Sequence, residues 1–225
     1  MSDIVLMGDP RVAELPVEEI EEDLVDVRES TDLPLDGLKE TVEGAYAYLR
    51  RGLVQRLLFA QGYLPDGYRL LLVEGYRPYE LQEHYFTGYR EHMEVLNPEL
   101  SAAESFQLAS RYVSPPSVAP HVSGAAIDLT LVDSQGTPVD MGTPINATPE
   151  DSAGACYFGA ENISSEARHH RGVLATALEG AGLVNYPTEW WHWSYGDRYW
   201  AFVTDQPAAI YGPVRSIGAT AAPSP

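Results

Sequence analysis

Residues 121–132 have the sequence His-Val-Ser-Gly-Ala-Ala-Ile-Asp-Leu-Thr-Leu-Val. From residue 125 onward, one alternate set of positions is uniformly apolar and the other carries Asp128, which predicts a β-strand over 125–132. The apolar face can pack into a core while Asp128 points away from it. His121 lies between a proline and a segment that contains glycine, so we expect it in the loop that enters this strand.

A second segment, Glu189-Trp-Trp-His192, lies further along the chain. In an ideal strand Glu189 and His192 point to opposite faces because their offset is odd. We therefore expect a turn or bulge near residues 187–189 that brings both side chains to one side. The chain has a single cysteine, which excludes a sulfur-rich structural zinc site.

Together the two segments offer two imidazoles and a carboxylate for one zinc ion, and a second carboxylate that could activate a water molecule on the metal. A lone histidine or aspartate is more often a surface residue or a hydrogen-bonded structural one. The occurrence of both segments in one chain is harder to explain by chance than either residue alone. It predicts a zinc hydrolase.

At these residues the sequence resembles the VanX-type D-alanyl-D-alanine dipeptidases, zinc peptidases related to the VanY-type D,D-carboxypeptidases and, in fold, to the hedgehog signalling domain. The pattern His-x-x-Gly-x-Ala-x-Asp is matched from His121 to Asp128, and Glu-x-Trp-His from Glu189 to His192. A Gly-Tyr-Arg-Pro element is matched at residues 75–78. The resemblance covers roughly residues 33–213.

By that resemblance His121, Asp128 and His192 bind one Zn²⁺ per chain, Glu189 is the catalytic base and Arg77 stabilises the transition state. The implied reaction is hydrolysis of a small dipeptide, D-Ala-D-Ala or a related D-amino-acid dipeptide, by metal-activated water. Chemistry supports these roles, because a carboxylate can move the proton and a fixed guanidinium suits a developing oxyanion. Taken alone, the tetrapeptide around Arg77 favours a surface salt bridge, and the two zinc-site segments reverse that preference.

The sequence departs from the family where the substrate is held. A serine often lies two positions before the first zinc histidine, and here that position is Ala119. The family's Phe-Asp, whose aspartate recognises the substrate amine, is replaced by Ile-Asn146. An amide cannot supply the charge that pairs with an ammonium, so Glu150 or Asp151 of the same loop are the candidates to replace it.

Three residues are candidates for substrate contact: Tyr76, Asn146 and Trp191. Aromatic side chains could narrow the pocket around a small substrate, although aromatics around a strand are usually part of the core. Two alternatives to a dipeptidase stay open, a D,D-carboxypeptidase or amidase acting on a longer peptide and a non-catalytic zinc-stabilised binding module. Retention of Glu189 and Arg77 argues against the binding module.

Composition limits the partners. The 225 residues include 14 basic and 33 acidic ones, for a formal net charge of −19, so we expect neither nucleic acid nor anionic membrane as a partner. No stretch approaches the ~20 apolar residues of a membrane span. The N-terminus lacks the basic region and apolar core of a signal peptide, so we expect a cytoplasmic enzyme with a small peptide substrate. The sequence leaves the oligomeric state open.

The expected architecture is a single α+β domain of the hedgehog and D,D-peptidase type, with a central antiparallel or mixed sheet and packed helices. We expect an acidic N-terminal segment over 1–32 packed on or flanking the domain, a zinc peptidase domain over 33–215 and a disordered tail over 216–225. The predicted elements are helices over 39–62, 78–95, 101–113 and 164–181, strands over 68–75, 125–132, 183–186 and 190–195, and a long loop over 133–163.

Overall fold

The structure, a computed structural model, describes residues 4–40 and 43–217. Its helices are α1 (Pro10–Ala13), α2 (Val27–Ser30), α3 (Arg51–Tyr63), α4 (Tyr79–Leu96), α5 (Ala102–Ala109), α6 (Ser165–Gly180) and α7 (Arg198–Val203). Its strands are β1 (Leu24–Asp26), β2 (Tyr48–Arg50), β3 (Arg69–Glu74), β4 (Ala126–Val132), β5 (Val184–Asn185) and β6 (His192–Ser194).

A four-stranded antiparallel sheet forms the centre of the fold, with the strand order β3-β4-β6-β5. The central strand β4 is buried at every position. The predicted α+β class with an antiparallel sheet is therefore confirmed. The ladder also places Asp128 of β4 opposite His192 of β6 on one side and opposite Glu74 of β3 on the other.

The core lies between this sheet and two long helices. Leu53 and Leu57 are spaced four residues apart on α3, as Leu174 and Leu178 are on α6, and all four are fully buried. That spacing puts each pair on one helical face. Each such leucine contributes about 1.5–3 kcal/mol when it leaves water, so these faces hold the helices on the sheet.

The helix starts follow the sequence closely in the second half of the chain, but α5 ends at Ala109 and not at the predicted residue 113. Ser101 caps α5 and forms the predicted capping box with Glu104, and Ser164 caps α6. Between Val132 and Ser165 the chain forms turns, with one isolated bridge from Val132 to Pro138, as the predicted loop requires.

The predicted helix over 39–62 is wrong in its first part. Residues 41–42 lie outside the described residues, and Gly44 adopts a left-handed conformation with a φ of 65°. The chain then runs through a 3₁₀ turn into β2 before α3 begins at Arg51. The carbonyl groups of Tyr46 and Tyr48 accept hydrogen bonds from the backbone of residues 75–76, so long-range pairing overrides the helical spacing.

The acidic N-terminal residues pack against the rest of the chain. The Arg50 guanidinium donates to the Ser123 carbonyl at 2.8 Å, to Glu19 Oε2 at 3.0 Å and to the Gly212 carbonyl at 3.1 Å. One buried cation thus joins the N-terminal segment, the C-terminal segment and the approach to β4. The predicted boundaries stay predictions, and most of the predicted tail, residues 218–225, lies outside the described residues. In the described part of the chain, no helix is long and apolar enough to cross a membrane.

Candidate active site

The two histidines and the aspartate are positioned by the sheet and by one short helical turn. His121 lies in the 3₁₀ helix Pro120–Ser123, which ends at Gly124 with a φ of 66°. A Cβ at Gly124 would lie 2.2 Å from Leu24 Cδ2, so only glycine fits this turn into β4. The turn and the β4–β6 ladder bring His121, Asp128 and His192 together as buried neighbours.

The three candidate ligand atoms form a nearly equilateral triangle. His121 Nε2 lies 3.1 Å from His192 Nδ1 and 3.3 Å from Asp128 Oδ1, and His192 Nδ1 lies 3.1 Å from Asp128 Oδ1. Nitrogen and oxygen ligands at 2.0–2.1 Å from a tetrahedral zinc ion are about 3.3 Å apart. This donor set therefore fits zinc in both chemistry and spacing, and three protein ligands are the number typical of a catalytic zinc site.

The tautomer of His121 is determined by its second ring nitrogen. His121 Nδ1 lies 2.7 Å from the Gly75 carbonyl oxygen, which can only accept a hydrogen bond. The proton therefore belongs on Nδ1, and the lone pair of Nε2 points towards Asp128 and His192. This carbonyl is part of the Gly-Tyr-Arg-Pro element, so that element supports the first histidine as well as carrying Arg77.

The predicted turn before β6 is present. The Glu189 amide donates to the Tyr186 carbonyl at 2.9 Å and the His192 amide donates to the Glu189 carbonyl at 3.3 Å. Asn185 Nδ2 donates to the carbonyl groups of Glu189 and His192 across the turn. Glu189 Oε2 consequently lies 3.8 Å from His192 Nδ1, on the same side as the triangle.

Burial and neighbouring charges shift the pKa values of the two carboxyl groups of the site in opposite directions. Burial alone would raise the pKa of Asp128, but His121 and His192 beside it hold that pKa well below its ordinary value. Burial, followed by the charge of Asp128, raises the pKa of Glu189 well above its ordinary value, and Arg77 opposes this only in part. One carboxyl group is thus suited to stay charged and the other to exchange a proton.

Arg77 is held by two residues that the sequence analysis did not single out. Its Nε and Nη2 donate to Glu74 Oε1 and Oε2 at 2.8 and 2.7 Å, and its Nη1 donates to Gln82 Oε1 at 2.7 Å. The Arg77 amide also donates to the His121 carbonyl at 3.1 Å. Glu74 could have been found from the sequence, because it is a charged residue directly after the apolar run Leu70–Val73.

These residues line a cavity of about 380 Å³. Arg77, Trp191 and Asn146 of the predicted site line it, as does Ala119. The other side chains around it come from several parts of the chain: Met7, Lys39, Gln82, Tyr85, Tyr89, Tyr112, Val113, Ser114, Pro120 and Tyr186.

The structure does not bring Tyr76 to this cavity. Tyr76 is 2% exposed, and its hydroxyl donates to the Val214 carbonyl at 3.0 Å. Glu150 and Asp151 are not among the lining residues either. Glu150 accepts a hydrogen bond from the Tyr89 hydroxyl at 3.4 Å, and Asp151 accepts one from Thr148 at 2.9 Å.

Comparison with known proteins assigns the chain to a family. A family model described as D-Ala-D-Ala dipeptidase matches residues 38–209. The chain belongs to this family. A D-alanyl-D-alanine dipeptidase of Synechocystis sp. is 33% identical over an alignment 180 residues long, and the match covers 70% of this chain and 73% of that protein. The family match and this relative make the chain a metallopeptidase, as the resemblance predicted.

Two solved peptidase structures have a weak structural similarity to this chain. The LdcB LD-carboxypeptidase has a TM-score of 0.48 and 19% identity, over 82% of this chain and 74% of that one. The D,D-pentapeptidase VanY in complex with Zn(II) has a TM-score of 0.41 and 15% identity, over 77% and 90% of the two chains. Likeness at this level is weak, so membership of the family rests on the sequence matches.

Proposed function

We propose that this dipeptidase-family member hydrolyses a small dipeptide with a D-configured C-terminal residue, D-Ala-D-Ala or a close relative, with one Zn²⁺ held by His121, Asp128 and His192. The observation that carries the proposal is the triangle of donor atoms, 3.1–3.3 Å on each side, beside Glu189. Membership of the D-Ala-D-Ala dipeptidase family supports the substrate class.

Zinc, when bound, polarises the scissile carbonyl group and makes water more acidic. Glu189 then takes the proton from the attacking water and returns it to the leaving amine. Its position supports this role, because Oε2 lies 3.8 Å from a proposed ligand atom and the side chain is only 12% exposed. A carboxyl group with a raised pKa is suited to hold a proton between the two steps.

Arg77 stabilises the negative charge that develops on the carbonyl oxygen. A guanidinium has five N–H donors, and three of those of Arg77 are used by Glu74 and Gln82. Within the described residues the other two donors have no hydrogen-bond partner, and the Arg77 side chain lines the cavity. Because its partners hold the plane of the guanidinium, little reorganisation is needed when the oxyanion forms.

The dimensions of the cavity favour a short peptide. Its volume of about 380 Å³ lies at the lower end for ligand pockets, which typically measure about 300–1,000 Å³. Met7 of the N-terminal segment and Tyr186 are linked by a hydrogen bond of 3.4 Å and both line the cavity. A cytoplasmic location, where small free dipeptides occur, stays a prediction.

The test is a panel of D,D-, L,D- and L,L-dipeptides and an N-acylated tripeptide ending in D-Ala-D-Ala, each incubated with the zinc-loaded protein. We expect fastest hydrolysis of a D,D-dipeptide and about one zinc ion per chain by elemental analysis. Faster release of D-alanine from the acylated tripeptide would favour the carboxypeptidase alternative. Hydrolysis of none of these peptides would contradict the proposed function.

A further inference from the structure

Lys39 is the single lysine of the sequence, where the other basic residues are all arginine, and it lines the active-site cavity. Backbone pairing with β3 brings it there. The Leu72 amide donates to the Pro34 carbonyl at 2.9 Å, and the Asp36 amide donates to the Leu72 carbonyl at 2.7 Å. The segment thus runs along the edge of β3, and Lys39 reaches Glu74 at the end of that strand.

The Lys39 ammonium is held by charge. Its Nζ lies 3.5 Å from Glu74 Oε2 and 5.8 Å from the centre of the Tyr85 ring, and the side chain is 23% exposed. Both oxygens of Glu74 already accept shorter hydrogen bonds from Arg77. A lysine ammonium has three N–H donors, and within the described residues no hydrogen bond at ordinary distance engages those of Lys39.

Among the described lining residues, Lys39 therefore offers a cation with unused N–H donors, whereas the only carboxylates, Asp128 and Glu189, lie at the proposed metal site. Position 146 is an uncharged asparagine, and Glu150 and Asp151 do not line the cavity. Asp128 and Glu189 belong to the proposed catalytic machinery. A dipeptide has an ammonium group at one end and a carboxylate at the other. The Lys39 ammonium is complementary in charge to the carboxylate.

The C-terminal carboxylate of a bound dipeptide must lie close to the scissile bond. In a dipeptide the carboxylate carbon is three bonds from the scissile carbonyl carbon, a path of about 4.3 Å. A carbonyl group placed at the metal site therefore keeps the carboxylate among the lining residues, where it loses water and needs a partner. We infer that Lys39 binds the C-terminal carboxylate of the leaving residue and thereby selects dipeptides with a free acid end. This inference rests on the proposed function.

Steady-state kinetics can test the inference with two substrates, D-Ala-D-Ala and D-alanyl-D-alaninamide, which differ only in the C-terminal group, a carboxylate in the first and an uncharged amide in the second. Lys39→Met removes the charge and keeps much of the side-chain length, and Lys39→Arg is the matched control that keeps the charge. We expect Lys39→Met to raise KM for D-Ala-D-Ala by about tenfold to a hundredfold and to leave KM for the amide unchanged. Lys39→Arg should stay close to the parent, and the zinc content of all three proteins should be equal.

A second readout does not need turnover. Because the chain has a single lysine, selective ¹³C labelling of lysine gives one Cε resonance in the full-length, zinc-loaded protein. In the Glu189→Ala variant, which should not consume substrate, D-Ala-D-Ala should shift this resonance. The amide at the same concentration should shift it much less.

The outcomes separate this inference from the proposed function. If Lys39→Met raises KM for both substrates equally, Lys39 acts on the catalytic groups and the inference is overturned while the function stands. If no dipeptide is hydrolysed but the free acid alone shifts the Cε resonance, the proposed function fails and the inference stands. If neither dipeptide shifts the resonance and the Lys39→Met kinetics match the parent, Lys39 has no role in binding the carboxylate.

Discussion

The cavity has two walls that are built in different ways. We call one of them the catalytic wall: it consists of the proposed metal ligands and base, His121, Asp128, Glu189 and His192, whose side chains are at most 12% exposed and stand on β4, β6 and the turns next to them. The substrate wall consists of residues from the edge of β3, from α4, from the chain after α5 and from the long loop: Lys39, Tyr85, Tyr89, Tyr112 and Asn146.

The difference separates reaction chemistry from specificity. A strand ladder with paired backbone groups holds atoms in fixed register, which the catalytic wall needs for ligand spacings of 3.1–3.3 Å. Side chains on helix surfaces and loops can change without disturbing the ladder. We therefore expect changes in the catalytic wall to alter metal content and kcat, and changes in the substrate wall to alter KM.

The largest effect is expected for His192→Ala. It removes one of three proposed ligands, so zinc content should fall to background and hydrolysis should cease. Elemental analysis after dialysis measures the metal. The matched control is His169→Ala, because His169 is an exposed histidine on α6 that does not line the cavity. Full zinc occupancy in His192→Ala would overturn the ligand assignment.

Glu189→Ala should lower kcat by at least the ~10²-fold that a lost general base costs, while the zinc content stays at the parent level. The isosteric Glu189→Gln should behave in the same way, because the amide keeps the shape but cannot take a proton. Circular dichroism should show an unchanged fold. Hydrolysis at the parent rate in either variant would mean that another residue is the base.

Arg77→Ala should lower kcat by about 10²–10³-fold, the usual cost of one oxyanion donor. It also leaves buried Glu74 with Lys39 as its one remaining salt-bridge partner among the described residues, and breaking a buried ion pair costs about 3–5 kcal/mol in free energy of unfolding. The double variant Arg77→Met, Glu74→Met removes both charges, so it should recover stability in urea unfolding but not kcat. Recovery of kcat in the double variant would show that Arg77 has no part in the reaction.

Asn146→Asp addresses the substrate wall. A carboxylate at this position can pair with the substrate amine, so KM for D-Ala-D-Ala should fall by about tenfold to a hundredfold with little change in kcat. Asp151→Asn is the control, because Asp151 does not line the cavity. An unchanged KM in Asn146→Asp, together with continued refusal of N-acetyl-D-Ala-D-Ala, would mean that the amine is recognised elsewhere.

The smallest effect is expected outside both walls. Ser101→Ala removes the N-cap of α5 and should lower the free energy of unfolding by about 1 kcal/mol, with kcat and KM unchanged. Urea unfolding and kinetics on the same sample measure both. A changed KM would show that the position of α5 also controls the substrate wall.

Local signals predicted the elements that depend on local physics. The capping box at Ser101 and the alternation around Asp128 describe interactions within a few residues, and both are present. The helix predicted over 39–62 failed in its first part because residues 45–50 pair with segments that are distant in sequence. Helical spacing alone cannot reveal that competition.

The same division holds for the site. By itself, the sequence determined the family and the reaction class and predicted the residues that we propose for the catalytic wall, because zinc accepts few kinds of ligand and the spacing of those ligands is short within each segment. Tertiary structure alone decided that Glu74 and Gln82 hold Arg77, that Tyr76 faces away from the cavity and that Lys39 faces into it. Those placements depend on how separate segments of the chain pack. The residue type at a position does not reveal which other segments its side chain will contact.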